Sequence, residues 1–412
     1  MAFANNKKLK LIAAMVSDEM AYIKGSKSFF SQAEIKGKKY GQKLSGYLPD
    51  PGVTTSGIVA NPTAINEPEI SAYINNNNNS CEVDLWDELT NIESFMDEIG
   101  APRAKNLALT SQKEIMGECM FQSAQAVTET LSNLGFKLLT KSSKALSEVG
   151  VAGTKLSFQS PDILGTIAEG GLSRFIPTEK MAKIYEDAYL GKYAGAEQVE
   201  IANTPVVYTA DMDSAPTISA DVVKDASNNI IGVKPITGIS LSNSAKIVAG
   251  LPYKLSGLKI RNAAGIETNQ DYFVIPYMEK RGDTSVLTIP ELRIAVPGTG
   301  YNNGNATLAA ATISSALSGD TATFTLTPVL TASKHYAVGQ VRLEKALGFD
   351  QYRFDSLPGS ESQDVGTFAN VTLKLMAFGD GKNGVKLVRV DFPYAAKIHD
   401  HRESVTTYVQ LD

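Results

Sequence analysis

Apolar positions along this chain follow two rhythms, and the points where one gives way to the other divide it into segments. Between residues 8 and 30, Leu11, Ile12, Met15, Met20, Ile23 and Phe30 fall at loosely helical spacing with Lys and Ser between them. This predicts an amphipathic N-terminal arm, and the plainest reading of such an arm is a helix packed on its own domain. Gly37, Gly41, Gly46, Pro49, Pro51, Gly52, Gly57 and Pro62 punctuate the next segment, so KKYGQKLSGYLPDPG with ISAYI after it reads as an extended β excursion. The run Asn75 to Asn79 reads as a loop, because asparagine amides compete with the backbone for its own hydrogen bonds. From Val83 to Leu134 the helical rhythm returns, broken at Gly100 to Pro102. Leu107, Ile115, Met116, Cys119, Met120, Val127, Leu131 and Leu134 then supply the contacts of a long helix with Pro102 in its first turn.

Residues 136 to 175 are mixed: TKLSFQ reads as a strand, Ser160 as a helix cap and Pro161 as the first helical position. In FIPTEKMAKIYEDAYLGKYAGAEQVEIANTP, residues 175 to 205, Met181, Ile184, Tyr185 and Ala188 keep helical spacing. Gly191 and Gly195 end that helix, and VEIANTP leaves as a short strand closed by Asn203 and Pro205. From Val206 to Ser333 the alternating rhythm takes over. GISLS, AKIVA, YKLSGLKI, DYFVIPYM, SVLTIPELRIAV and ATFTLTPVL are strand-like and separated by turn residues, which indicates a β barrel or sandwich inserted into another domain. VTLKLMAF, GDGKNG and VKLVRVDFPYAA form a hairpin, and KIHDHRESVTTYVQLD adds a polar tail with one more possible strand.

Composition narrows the classes. A chain of 412 residues with 43% hydrophobic residues exceeds the usual single-domain size and can bury more than one core. A net charge of -5 argues against a dedicated nucleic-acid binder. Cys81 and Cys119 fit no zinc or redox spacing, so reduced structural thiols of a cytosolic compartment are expected, with a disulfide between them as the alternative. The apolar run near the N-terminus ends at Ser17, Asp18 and Glu19 before any cleavage site, so neither a secretory signal nor a membrane span is expected.

Candidate chemistry is sparse. Gly379, Gly381 and Gly384 spell G-x-G-x-x-G, but strand flanks instead of a following helix favour a hairpin turn over a phosphate site. GTGYNNGN at 298 to 305 lacks the Lys and Ser or Thr of a P-loop. His399 and His401 share a face if the tail is a strand, yet a metal would need distant carboxylates, and a solvated tail is the simpler reading. Arg281, Gly282 and Asp283 form an RGD tripeptide that a turn explains. Cys119 reads as a buried thiol, and the acids from Asp84 to Glu98 as the wet side of an amphipathic helix. No catalytic, cofactor-binding or metal residue is assigned and no cofactor is expected; an NAD-linked or hydrolytic enzyme would rest on GDGKNG and scattered acids alone.

Several blocks, in order, resemble the major capsid (coat) proteins of short-tailed bacteriophages whose coat carries an inserted β domain. They are the arm with KGKKYGQKLSGYLPDPG, then VDLWDELTNIESFMDEIGAPRAKNLAL, then FIPTEKMAKIYEDAYLGKYAGAEQVEIANTP. KIVAGLPYKLSGLKIRN with DYFVIPYMEKRGDTSVLTI comes next, and VRVDFPYAAK closes the series, with Ile398, His399 and Asp400 where the family has Arg-Pro-Glu. The resemblance implies an α+β, HK97-like fold with an inserted all-β domain. Its divisions would be an arm (1–35), an extended β loop (36–80), a peripheral domain with the spine helix (81–150), an axial domain (151–205), the inserted domain (206–333) and a return to the axial and peripheral domains (334–412).

It also implies a non-enzymatic role: self-assembly into hexamers and pentamers of an icosahedral shell in the virion. Assembly would occur in the bacterial host cytoplasm with a scaffolding protein and a portal protein, through a procapsid that expands as double-stranded DNA is packaged and contacted non-specifically, without membrane. An arm and a Gly-rich loop that cannot bury their apolar residues alone would need neighbouring subunits. Lys36, Lys38, Lys39 and Lys43, opposite Glu93, Asp97 and Glu98, are the candidate subunit-interface residues. The alternative is a β-rich surface binding or adhesion protein using the RGD.

Overall fold

A computed structural model describes residues 12–30, 35, 38–48, 67, 69–84, 101–150, 153–171, 192–209, 217–224, 226–228, 230–236, 247–262, 266–295, 306–308, 317–318, 320–351, 362–368, 371–380 and 385–411. The body is built on a sheet in the order Gln125–Thr130, Ser404–Gln410, His335–Leu343, Lys155–Gln159, Ala196–Glu200, Lys192–Tyr193, with Val206–Tyr208 beside the start of His335–Leu343. Residues 336 to 343 are all buried, because helices cover both faces. Helices Phe136–Glu148 and Pro161–Gly171 cover one face through Leu138, Leu139, Ile163 and Ile167, which meet Ala337 and Val409. Helix Ala101–Cys119 and the N-terminal arm cover the other.

Helix Ala101–Cys119 is the long element that the spacing predicts, about 28 Å from end to end. It buries Ala104, Leu107, Ala108, Ser111, Gln112, Ile115, Met116 and Cys119, an unbroken series at intervals of three and four. It stops well before Leu134. Gln125–Thr130 is instead a strand, paired in parallel with Val405 to Gln410. Two influences outweigh the helical pattern there. Val127, Thr128 and Thr130 are β-branched. The carbonyls at the helix end are also taken by sheet side chains: Gln340 Nε2 donates to Cys119 O (3.0 Å), Thr406 Oγ1 to Met120 O (2.6 Å) and Ser404 Oγ to Gln122 O (2.9 Å).

A second sheet runs Leu347–Asp350, Val385–Ile398, Val371–Asp380, Ser362–Phe368, with Asn75–Asp84 on the other side of Val385–Ile398. The asparagine run is therefore no loop. It makes an antiparallel ladder from Asn75 opposite Tyr394 to Asp84 opposite Val385, which satisfies the backbone that the amides would otherwise compete for. The amides are used across the pleat. Asn77 Nδ2 donates to Ser111 Oγ (3.0 Å) and Glu114 Oε2 (2.7 Å), Arg103 donates to Asn79 Oδ1 (2.7 Å), and Asn76 Nδ2 donates to Asp391 Oδ1 (2.9 Å).

The block after Val206 holds no helix among the described residues. Its strands close a ring: Tyr253–Arg261, Ala306–Leu308, Leu292–Ala295, Ile230–Ile236, Thr217–Lys224, Thr321–Pro328, and back to Tyr253–Arg261. Closure removes sheet edges, and Leu255, Ile260, Ile294 and Phe324 belong to the core it forms. The chain enters the barrel after Val206–Tyr208 and returns at His335, and these two strands pair with each other, His335 opposite Tyr208.

Other expectations shift. The glycine turn at Gly195 closes a β-hairpin, Lys192–Tyr193 with Ala196–Glu200, and Ala194 (φ 51) and Gly195 (φ 79) are both left-handed as a two-residue hairpin turn requires. The helix read before it falls at 172–191, outside the described residues. The tail is a buried strand of the central sheet, since Ser404–Gln410 is buried from Ser404 to Val409. Ser160 does cap helix Pro161–Gly171, accepting from Ile163 N–H at 3.4 Å. Cys119 is fully buried, and both cysteines are free thiols.

Most of the arm's described apolar residues are buried within its own chain, while Met15 is exposed. Residues 12–19 are helical, and Ile12, Ala13, Val16, Met20, Tyr22 and Ile23 pack with the long helix and the central sheet. Arg342 fixes this contact. Fully buried, its guanidinium donates to the carbonyls of Tyr22 (2.8 Å), Lys24 (3.1 Å), Leu343 (3.2 Å) and Glu344 (2.9 Å) and lies 4.7 Å over the Phe158 ring. Burial pushes its pKa down to about 10, so the charge persists at neutral pH. Tyr22 is also held by Gln340, to which its hydroxyl donates (2.6 Å), and by Gln112, which accepts from its N–H (3.1 Å).

Replacing Arg342 by Met keeps the volume and leaves those four carbonyls without their charged donor. Arg342→Met should cost about 3 kcal/mol, read as a lower urea midpoint at unchanged slope.

Candidate assembly junction

Three separate parts of the chain meet near the C-terminal half of the long helix: the extended hairpin Lys43–Tyr47 with Glu69–Tyr73, the hairpin Tyr277–Arg281 with Thr284–Thr288, and the end of strand Val385–Ile398. Glu114 sits at the centre of this meeting. One of its oxygens, Oε2, accepts from Lys280 Nζ (2.7 Å), Asn77 Nδ2 (2.7 Å) and Tyr394 Oη (2.9 Å), so a single helix residue joins a hairpin and two strands. Lys397, buried on the strand end, donates to Tyr277 Oη (2.5 Å) and Glu279 Oε1 (3.1 Å). Burial works against its charge, but the Tyr277 and Glu279 oxygens outweigh that and hold its pKa above the ordinary lysine value. Arg281 closes the same cluster with two bonds to Glu279 Oε2 (2.8 and 2.6 Å).

The RGD lies at this hairpin's tip and is engaged on every residue. Arg281 lies 4.7 Å over the Tyr73 ring, Gly282 N–H donates to Asn75 Oδ1 (3.0 Å), and Tyr40 Oη donates to Asp283 (2.9 Å). Gly282 takes the positive φ of the two-residue turn, and a Cβ there would stand 3.1 Å from Gly41 Cα. An adhesive loop needs a free tip.

The candidate interface residues separate. Lys38 and Lys39 are exposed. Lys43 finds its carboxylate within its own hairpin, Glu69 at 2.8 Å, a solvated pair worth little by itself. Lys36, Glu93, Asp97 and Glu98 lie outside the described residues, as does GTGYNNGN. Of G-x-G-x-x-G, only the backbone of Gly379 is described; it ends a strand whose antiparallel partner is Val385–Asp391.

Sequence reasoning missed Glu114, Lys280 and Lys397. The alternation in YMEKRGDT is an available signal, but only register brings these residues together.

His399 and His401 do not lie on a solvated tail. The His399 ring lies tilted against Phe29 (4.3 Å between rings), and burial, then the Lys27 charge, pushes its pKa down to about 4. His401 is buried, and burial, then Lys397, pushes it down to about 3. Between them Asp400 pairs with Arg402, which outweighs the burial penalty and holds the carboxyl well below its usual range. Among the described residues no three His, Cys, Asp or Glu side chains are arranged to hold a metal ion, and no helix is long and apolar enough to cross a membrane.

No protein-family model matches the chain, and no curated protein matches it. Solved structures do. The chain is similar to the capsid structure of the cyanophage P-SCSP1u, with 8% identity, a TM-score of 0.46, and 94% of this chain and 86% of that one covered. It is similar to the mature capsid of bacteriophage PhiM1, with 9% identity, a TM-score of 0.42, and 93% and 84% covered. It is also similar to the capsid of Helicobacter pylori bacteriophage KHP30, with 8% identity, a TM-score of 0.42, and 94% and 89% covered.

The histidines set a pH dependence whose sign comes from their burial. An unfolded histidine takes its proton near pH 6.5, whereas folded His401 resists to about 3, so the unfolded state binds more protons in between. Stability contributed by His401 is therefore lost as pH falls from about 6.5 towards 3. Burial pushes Glu118 and Glu403 up to about 7, which acts in the opposite sense, the folded state holding the extra proton between about 4.5 and 7. Subtracting His401→Gln from the wild type isolates the first effect. The variant should lose less stability than the wild type between pH 6.5 and 4 in urea melts at each pH.

Proposed function

We propose that this chain is the major capsid protein of a short-tailed bacteriophage, a structural protein of HK97-like fold that assembles with copies of itself into the icosahedral shell around the genome. The observation that carries the reading is the order of parts along the chain. An arm packs beneath a long helix, an extended hairpin leaves the body beside it, and a closed barrel is spliced in between two strands that pair with each other. This is the order in which the sequence blocks resemble the coat proteins with an inserted β domain.

The division into arm (1–35), extended loop (36–80), peripheral domain (81–150), axial domain (151–205), inserted domain (206–333) and return (334–412) belongs to this reading, with one amendment. Asn75 to Ser80 form part of a body strand, so the extended loop ends near Ile74. A scaffolding protein, a portal ring and packaged double-stranded DNA are the proposed partners. Expansion of a procapsid, assembly in the host cytoplasm and residence in the virion belong to the same reading.

The shell interactions lie with the surfaces that the body leaves outside. Ile12, Ala13, Val16, Met20, Tyr22 and Ile23 of the arm and the base of the extended hairpin bury their apolar side chains within the chain itself, through Leu44, Ala72 and Ile74 against Phe30 and Ala395 in the second case, while Met15 stays exposed. Exposed Tyr47 and the lysines at 38 and 39 face away from that core. Register between subunits through these lysines and the acids Glu93, Asp97 and Glu98 is part of the proposal.

Electron microscopy of the purified protein, alone and with its scaffolding partner, should give closed shells or capsid-like tubes. A monodisperse monomer under both conditions would overturn the reading. Reversing the charge at Lys38 and Lys39 together should lower the yield of shells while leaving the urea midpoint of the subunit unchanged; unchanged yield would remove the lysines from the interface.

A further inference from the structure

Hairpin Tyr277–Thr288 belongs to neither of the units it joins. Its root is fixed in the barrel, where Tyr277 and Ile289 lie in the core, and its two strands pair only with each other among the described residues. Its tip reaches across to the extended hairpin and the strand behind it, touching Tyr40, Gly41, Tyr73 and Asn75. We propose that this hairpin is a reversible strap, held shut beyond its packed root by charge-assisted contacts, that fixes the strands Lys43–Tyr47 and Glu69–Tyr73 at the base of the extended hairpin when docked and frees them when released.

Three features distinguish a strap from a permanent brace. First, its hold on the long helix is ionic and partly wet: the Lys280 and Glu114 side chains, 2.7 Å apart, keep 25% and 33% of their exposure. Contacts of this kind exchange for water at small net cost, whereas separating packed apolar faces does not. Second, its underside is hollow. A cavity of about 210 Å³ lies beneath it, walled by Lys43, Glu69 and Tyr73 of the extended hairpin, Glu279 and Arg281 of the strap, and Lys397 of the sheet. Third, at the tip two glycine backbones approach each other, Gly282 against Gly41, and the side chains around them meet through polar and cation–π contacts, Tyr40 with Asp283 and Arg281 over Tyr73.

The element that the strap controls is lightly held otherwise. The extended hairpin meets the body through a small apolar cluster, Leu44, Ala72 and Ile74 with Phe30, Ile35 and Ala395. With the tip docked, the turn at Tyr40 and Gly41 is pinned from the far side. With it released, only that cluster sets the hairpin's direction. Local opening of this sort lies below global unfolding in free energy, because the apolar clusters of the barrel, central sheet and long helix stay packed while the hairpin tip lifts. The inference concerns a single subunit and stands whether or not the chain builds shells.

Hydrogen exchange by mass spectrometry on the full-length, unassembled protein tests it. Lys280→Gln should accelerate exchange in segments 38–48 and 69–74 by about tenfold, the loss of one charge-assisted hydrogen bond, while 101–119 and 253–261 keep wild-type protection. In the wild type, raising sodium chloride to about 0.5 M should move the same two segments in the same direction, since screening shortens to a few ångström. Gly282→Val, which forces the tip away from Gly41, should reproduce the pattern without changing charge. Unchanged exchange at 38–48 and 69–74 in both the variants and the salt series would overturn the strap. Equal acceleration through the barrel and the long helix would also overturn it, making the hairpin a brace on which the whole fold depends. If a variant fails to fold, the salt series on the wild type decides.

Discussion

The structure depends on a buried cation whose hydrogen bonds go to backbone carbonyls. Arg342, in the middle of the central sheet, gives its hydrogen bonds to four backbone carbonyls, two of them in the N-terminal arm at Tyr22 and Lys24. A buried charge costs a great deal unless its donors are satisfied, so Arg342 is tolerable only while the arm is in place. The dependence also runs the other way. Tyr22 is placed by Gln340 from the same strand and by Gln112 from the long helix, and Gln340 also takes the carbonyl of Cys119. Arm, helix and sheet are thus mutually required, and a polar network in an apolar core makes this arrangement of the three specific.

Joints elsewhere in the molecule use a different chemistry. The barrel core runs on into the central sheet through Phe121, Tyr336, Val338 and Tyr408, and across hairpin Tyr277–Thr288 a set of ion pairs and side-chain amides around Glu114, Glu279 and Lys397 is added to that packing. Apolar packing ties parts that must not separate. Of the charged contacts, Lys280 with Glu114 is partly open to water and exchanges for it at low cost, whereas Lys397 with Glu279 is buried. The contrast between the Arg342 network, fully enclosed, and the Glu114 cluster, partly open to water, is the physical division between the molecule's fixed frame and its adjustable edge.

Much of the frame was legible from residue pattern. The long helix comes from apolar residues at intervals of three and four after Pro102, the barrel strands from alternation between turn residues, and the start of helix Pro161–Gly171 from Ser160 and Pro161. The errors share a cause. Local preference reads the asparagine run as a loop and the residues after Cys119 as helix, and each is a strand because a long partner strand supplies its backbone hydrogen bonds; the strand in the tail is legible, but its burial is not. The Glu114 junction was not legible for the same reason: Glu114, Lys280 and Tyr394 are far apart in sequence and meet only through three separate registers.

By itself the sequence determined the spacing of apolar and turn residues along each segment and the order of blocks that resembles a coat protein. These are local properties, set by side-chain period and turn chemistry, and they persist in any fold the chain could adopt. Tertiary structure decided which polar residues are buried, that the RGD is an anchored tip, that His399 and His401 are neutral, and where the arm ends its search for partners. Those outcomes depend on distant groups being brought within hydrogen-bonding range, a matter of three-dimensional register that no local pattern encodes.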